Sequence, residues 1–99
     1  SCGMPAPLMI RVVQIEPANV DAWMQLSSMA VQTGDMALAA QAGDNAVQLA
    51  PTYAEAYLTS AIAHYMSGDM AEAKRRTLRA KELNPGLQIP IELEVLLKR

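Results

Sequence analysis

The chain has 99 residues, enough for one small domain. It is rich in Ala, Leu, Met, Gln and Glu and contains no Phe, which favours helices over strands. The net charge of −2 argues against binding to nucleic acid or to anionic membranes, and no apolar run approaches the roughly 18 residues that a membrane span needs, so direct membrane insertion is not expected.

The chain contains a single cysteine, Cys2, which cannot form an internal disulfide. Cysteine usage therefore gives no sign of an oxidising compartment. Cys2 is interpreted as an exposed thiol, with a lipid-bearing cysteine at a processed N-terminus as the alternative. The location stays unknown: the cytoplasm is favoured over the periplasm or a lipid anchor.

Regularly spaced breakers divide the chain into six predicted helices. The first ends before Pro17, because proline cannot continue a helix and disfavours helical backbone in the preceding residue. The second ends at Gly34, which suits a left-handed cap, and Asp35 then caps the third. The same signals recur at Pro51, Gly68, Asp69 and Pro85. The predicted helices cover residues 5–15, 20–33, 36–49, 53–67, 70–83 and 88–98.

Further signals refine three of these helix starts. Capping-box spacing occurs between Thr52 and Glu55 and between Asp69 and Glu72. Pro90 suits the first turn of the last helix, where its missing N–H is not needed.

Residues of several kinds recur with one period of 34 residues. Pro17, Pro51 and Pro85 share this spacing. So do the segments Gly34-Asp35-Met36-Ala37 and Gly68-Asp69-Met70-Ala71, the aromatic pair Trp23 and Tyr57, and the pair Ala39 and Ala73. The short connections between helices predict antiparallel neighbours.

On these residues the chain resembles the tetratricopeptide repeat family over nearly its whole length. The resemblance implies an all-α fold, a right-handed α-solenoid of antiparallel helix pairs. Residues 1–99 would form a single domain with a half repeat at 5–17, full repeats at 20–53 and 54–87, and a terminal helix at 88–99. Trp23 and Tyr57 match the family's large aromatic in the first helix of each repeat. The small residues of the second helix are matched by Ala39, Ala46, Ala73 and Ala80.

Four positions depart from the family pattern by carrying small or polar residues: Ala30, Gly43, His64 and Thr77. Together with Ser27 and Ala46, the first two predict unusually close helix packing in the first full repeat. His64, the only histidine, is interpreted as a partly buried structural residue. With no phosphate-binding loop, nucleophile motif or set of metal ligands in the sequence, we expect no enzyme activity, no metal and no cofactor.

In such a solenoid the first helices line a concave surface. Helical spacing places a candidate peptide-binding groove at Met24, Ser28, Val31, Glu55, Leu58, Ile62, Tyr65 and Met66, with further contributions from Asp21, Gln32, Ile89, Glu92 and Leu96. This groove is apolar with a thin acidic rim and lacks Lys, Arg and Asn, so an apolar peptide or amphipathic helix fits better than a clamped carboxylate. The alternative is that Leu58, Ile62 and Tyr65 only contact the adjacent helix.

Two more surfaces stand out. Five basic residues crowd one helix, Lys74, Arg75, Arg76, Arg79 and Lys81, and form either a solvated convex face or a docking surface for phosphates or for an acidic neighbour. The terminal helix is apolar on more than one side, which predicts contact with a second copy or with more chain, through Ile89, Leu93, Leu96 and Leu97.

The sequence thus predicts a protein-interaction module: an adaptor, assembly factor or chaperone-like scaffold whose partner is another protein or peptide. The alternatives are a structural, self-associating repeat module forming a homo-oligomer, and a non-catalytic regulatory domain of a larger protein.

Overall fold

A computed structural model describes residues 6–99, so Cys2 lies outside the described part. Within that part the fold is all-α, with no strand and with six helices in the predicted places. They are α1 (Ala6–Ile15), α2 (Val20–Thr33), α3 (Met36–Leu49), α4 (Ala54–Met66), α5 (Met70–Leu83) and α6 (Ile91–Leu97). None of these helices is long and apolar enough to cross a membrane.

The helix ends follow from local chemistry. Gly34 and Gly68 adopt φ of 86° and 89°, the left-handed conformation that glycine adopts without steric penalty. Asp35 and Asp69 cap α3 and α5 by accepting hydrogen bonds from backbone N–H groups at 3.1 and 3.2 Å. Asn19, which sequence reasoning missed, caps α2 in the same way.

Two predicted helix starts differ from the structure. The Thr52–Glu55 capping box does not form, because α4 starts one residue later with Tyr53 at the cap, and Tyr53 makes no side-chain cap bond. The last helix begins at Ile91 instead of residue 88. Pro90 has ψ of 144°, an extended value, and therefore precedes the first turn instead of lying in it.

Consecutive helices pack against one another along the chain, and α2 also contacts α4. The first helices of successive repeats therefore form one layer. Small residues make this possible: of the fully buried side chains, the largest are Leu26, Leu93, Thr77, Ser27 and Ser60, and most others are alanines. The division into repeats at 20–53 and 54–87 stays a prediction.

The predicted close packing occurs around Gly43. A Cβ at this position would lie 2.8 Å from the Cα of Ser60 and 3.4 Å from the Oγ of Ser27. The residues one period earlier are Met9 and Leu26, which fill the α1–α2 interface with large side chains. With Gly43 and Ser60 in their place, the backbones of α3 and α4 approach each other. This close contact therefore lies between the two repeats, whereas it was predicted within the first one.

An aromatic residue ties each full repeat to the turn before it. The indole N–H of Trp23 donates to the carbonyl of Pro17 at 2.8 Å. The hydroxyl of Tyr57 donates to the carbonyl of Pro51 at 3.0 Å. The same bond, six residues back along the chain, thus repeats with the 34-residue period.

The terminal helix corrects part of the self-association prediction. Leu93 and Leu96 are 1% and 6% exposed and pack with Ala61 and Ala73 in a core cluster of this chain. They are therefore core residues in the fold and are not free to contact a second copy. Ile89 and Leu97 are half-buried.

Candidate functional site

Two adjoining depressions cross the layer formed by α2, α4 and α6. The first, of about 230 Å³, lies between α2 and α4 and is lined by Ser27, Ser28, Val31, Gln32, Thr59 and Ile62. The second, of about 320 Å³, lies between α4 and α6 and is lined by Ile62, Tyr65, Met66, Pro90, Glu92 and Leu93. Because Ile62 lines both, the two depressions adjoin at this side chain, and we call them together the trough.

The structure brings most of the predicted groove residues together in the trough. Seven of them line it: Ser28, Val31, Gln32, Ile62, Tyr65, Met66 and Glu92. Met24 and Leu58 are half-buried and line neither depression, while Glu55 is exposed in the first turn of α4.

Some side chains of the trough pack against the core, and others are exposed to solvent. Ile62 and Tyr65 are half-buried and pack against the cluster that contains Leu93 and Leu96. Part of the Ile62 side chain and part of the Tyr65 side chain therefore contact neighbouring helices, as the alternative interpretation expected. Met66 is 53% exposed and Ser28 is also exposed, so both present surface that no described residue covers.

Four lining residues were not predicted to belong to the groove: Ser27, Thr59, Pro90 and Leu93. Thr59 lies four residues after Glu55 and three before Ile62, a spacing that places it on the same helix face. That signal was available in the sequence. Pro90 had none, because its position depends on the extended connection between α5 and α6.

The charge on this surface is acidic. Glu92 lines the trough and Asp21 is exposed in the first turn of α2, while no lining residue is basic. The hydroxyl of Tyr53 donates to the Oε2 of Glu55 at 3.1 Å. This hydrogen bond, aided by partial desolvation and by the charges of Glu55 and Asp21, raises the pKa of Tyr53 above its ordinary value.

A polar network joins α3, α4 and α5 near His64. One oxygen of Asp44 accepts from the Ser60 hydroxyl at 2.9 Å and lies 2.9 Å from the Nε2 of His64 and 3.1 Å from a guanidinium nitrogen of Arg76. The hydroxyl of Ser60 is fully buried and bonds to Asp44, not to His64. The arrangement is therefore a packed inter-helix network and lacks the serine–histidine bond of a nucleophile and its base.

The basic side chains of α5 largely have partners within the chain. Arg75 and Arg76 pair with Glu72, and Arg79 pairs with Glu82 at 3.3 Å. Two lysines reach α6 or the residues after it: Lys81 pairs with Glu94 at 3.1 Å, and Lys74 donates to the backbone carbonyl of Arg99. The face is thus only partly solvated, and it holds α5 to its neighbours.

Residues 6–99 contain no group of three or more His, Cys, Asp or Glu side chains arranged to hold a metal ion. A family model described as tetratricopeptide repeat matches residues 30–88, more than half of the chain and a segment that includes both Gly-Asp turns. Comparison with curated proteins finds no match.

Proposed function

Because the chain belongs to the tetratricopeptide repeat family, whose repeats generally mediate protein–protein interaction, we propose that it binds an apolar peptide or helix of another protein in the trough. The family is typically a non-catalytic scaffold, so the chain would act as an adaptor, an assembly factor or a chaperone-like holder.

The observation that carries this proposal is that two largely apolar depressions adjoin at Ile62. Ile62 joins two depressions of about 230 and 320 Å³, and the surface around it is largely apolar. An apolar side chain that leaves water for such a depression gains about 25 cal/mol for each Å² it buries. Met66 adds an unbranched, flexible thioether that adapts to ligands of different shape.

Selection of displayed random peptides tests the proposal even though the partner is unidentified. The displayed peptides have about twelve residues, since a helix of that length extends about 18 Å. The selected peptides are synthesised, and their dissociation constants are measured by fluorescence anisotropy. Met66→Glu and Ser28→Glu place a charge in the trough at exposed positions. Each should weaken binding by at least about tenfold, which corresponds to about 1.4 kcal/mol.

A matched control is Leu78→Glu. Leu78 lies on α5 outside the trough and is 47% exposed, close to the 53% of Met66. Its substitution should leave both affinity and thermal stability unchanged. If Leu78→Glu weakens binding as much as Met66→Glu does, or if neither has an effect, the trough is not the binding site.

Self-association remains the second candidate, through two residues of α6 that were not among the predicted contacts. Ile91 and Val95 on α6 are 72% and 48% exposed and line a depression of about 240 Å³ together with Met70. Contact with a second copy would remove these apolar side chains from water, which is favourable. Sedimentation of the native chain and of Ile91→Asp tests this: a concentration-dependent dimer that Ile91→Asp dissolves would support it, and a native monomer at high micromolar concentration would rule it out.

A further inference from the structure

Five acidic side chains of residues 6–99 form no ion pair, and three of them lie on the helices that border the trough. The first helices α2, α4 and α6 carry Asp21, Glu55 and Glu92 in their first turns. Among residues 6–99, none of these three lies within 4 Å of a basic nitrogen, although Glu55 accepts the Tyr53 hydroxyl.

The acids of the other layer are different. Glu72, Glu82 and Asp44 on α3 and α5 each pair with an arginine. The acids within α3 and α5 are thus balanced by arginines of the chain, whereas Asp21, Glu55 and Glu92 are not.

The trough has no basic side chain of its own to balance these acids. Its lining residues include Glu92 and no Lys or Arg. Arg99 and Glu92 both line the neighbouring depression, but they form no ion pair within 4 Å. A ligand in the trough therefore meets apolar surface under a negative potential, which attracts cations and repels carboxylates.

We infer that the occupant of the trough is a polypeptide segment in which apolar side chains are flanked by Lys or Arg. This inference rests on the proposed function, since it specifies the ligand of the same surface. One cation lies opposite Glu92, next to the apolar side chain that covers Met66 and Ile62. A second cation lies toward Glu55, which is in the first turn of α4, seven residues or about 10 Å along the helix before Ile62.

The peptide selection described above, repeated on a neutralised chain, tests the inference. Peptides selected on the native chain should be enriched in both apolar residues and Lys or Arg. The triple variant Asp21→Asn, Glu55→Gln and Glu92→Gln should still select apolar residues but lose the enrichment in cations. Each exposed pair contributes up to about fivefold in affinity, and this gain should fall as salt is raised.

A charge exchange locates the cation. Glu92→Lys should weaken the binding of a selected peptide that contains Lys. Replacing the Lys that lies opposite residue 92 by Glu should restore the binding of that peptide to the variant. Glu82→Gln, which removes an acid from α5, is the matched control and should have no effect.

Two negative results have different meanings. If Met66→Glu abolishes binding but the triple variant binds native-selected peptides as tightly as the native chain does, the inference is wrong and the proposed function stands. If Met66→Glu does not affect binding, both are wrong.

Discussion

Replacing Gly43 by alanine tests the close approach of α3 and α4. The new methyl group would lie 2.8 Å from the Cα of Ser60 and 3.3 Å from its Cβ. The nearer atom is backbone, so a change of side-chain rotamer cannot relieve the contact, and one helix has to move. Overpacking of this kind destabilises by about 1–3 kcal/mol, and a backbone contact belongs in the upper half of that range.

An opposing effect lowers the net value. Alanine in a helix is more favourable than glycine by about 1 kcal/mol. We therefore expect Gly43→Ala to reduce the free energy of unfolding by about 1–2 kcal/mol, which lowers the melting temperature of a domain of this size by about 5–15 °C.

Circular dichroism melts and urea titrations of the native and variant chains measure this difference. Gly86→Ala is the matched control, because the nearest atom to its added Cβ, the Oδ1 of Asn84, lies at an ordinary 3.5 Å. It should change stability by less than about 0.5 kcal/mol. A melting temperature for Gly43→Ala equal to or above the native value would show that the helix propensity of alanine outweighs the contact, and it would refute the reasoning.

Leu93→Ala should destabilise the chain by about 2–5 kcal/mol in a urea titration, because Leu93 is fully buried; a loss below about 1 kcal/mol would contradict its assignment to the core. Asp44→Ala leaves the buried Ser60 hydroxyl without its acceptor and should lower the free energy of unfolding by about 1–3 kcal/mol, with a smaller loss for Asp44→Asn. Equal stability of Asp44→Ala and the native chain would argue against the network. Glu55→Gln should lower the pKa of Tyr53 toward its ordinary value, since a neutral amide no longer favours the protonated phenol. The absorbance of the phenolate measures this pKa, with the signal of Tyr53→Phe subtracted as the background. An unchanged pKa would rule out Glu55 as the main cause.

Most helix boundaries could be predicted because the residues that set them act through their own backbone chemistry. The ends of α2, α3 and α5 coincide with those predicted from Gly34, Asp35 and the proline period. Pro90 shows the limit of such reasoning. Proline is compatible both with the first helical turn and with the extended residue before it, and only the path of the connection decides between them.

Contacts that do not repeat could not be read from the period. The residue one period after Asp44 is Leu78, and the residue one period before His64 is Ala30, so the polar network has no counterpart in the neighbouring repeat. Leu93 was assigned to a surface because the terminal helix is apolar on several sides. Which side faces the core depends on how α6 is oriented against α4 and α5.

The hydrogen bonds from Trp23 and Tyr57 to the preceding prolines have a consequence for local stability. One period after Tyr57 stands Ile91, whose side chain cannot donate a hydrogen bond to the turn at Pro85. The connection before α6, residues 84–90, is also longer than the corresponding connections at 16–19 and 50–53. When α6 detaches, no aromatic hydrogen bond of this kind has to break. The backbone amides of α6 should therefore exchange with solvent before those of α2 and α4. Opening of this kind would expose Leu93 and Leu96 transiently, while the central repeats stay folded.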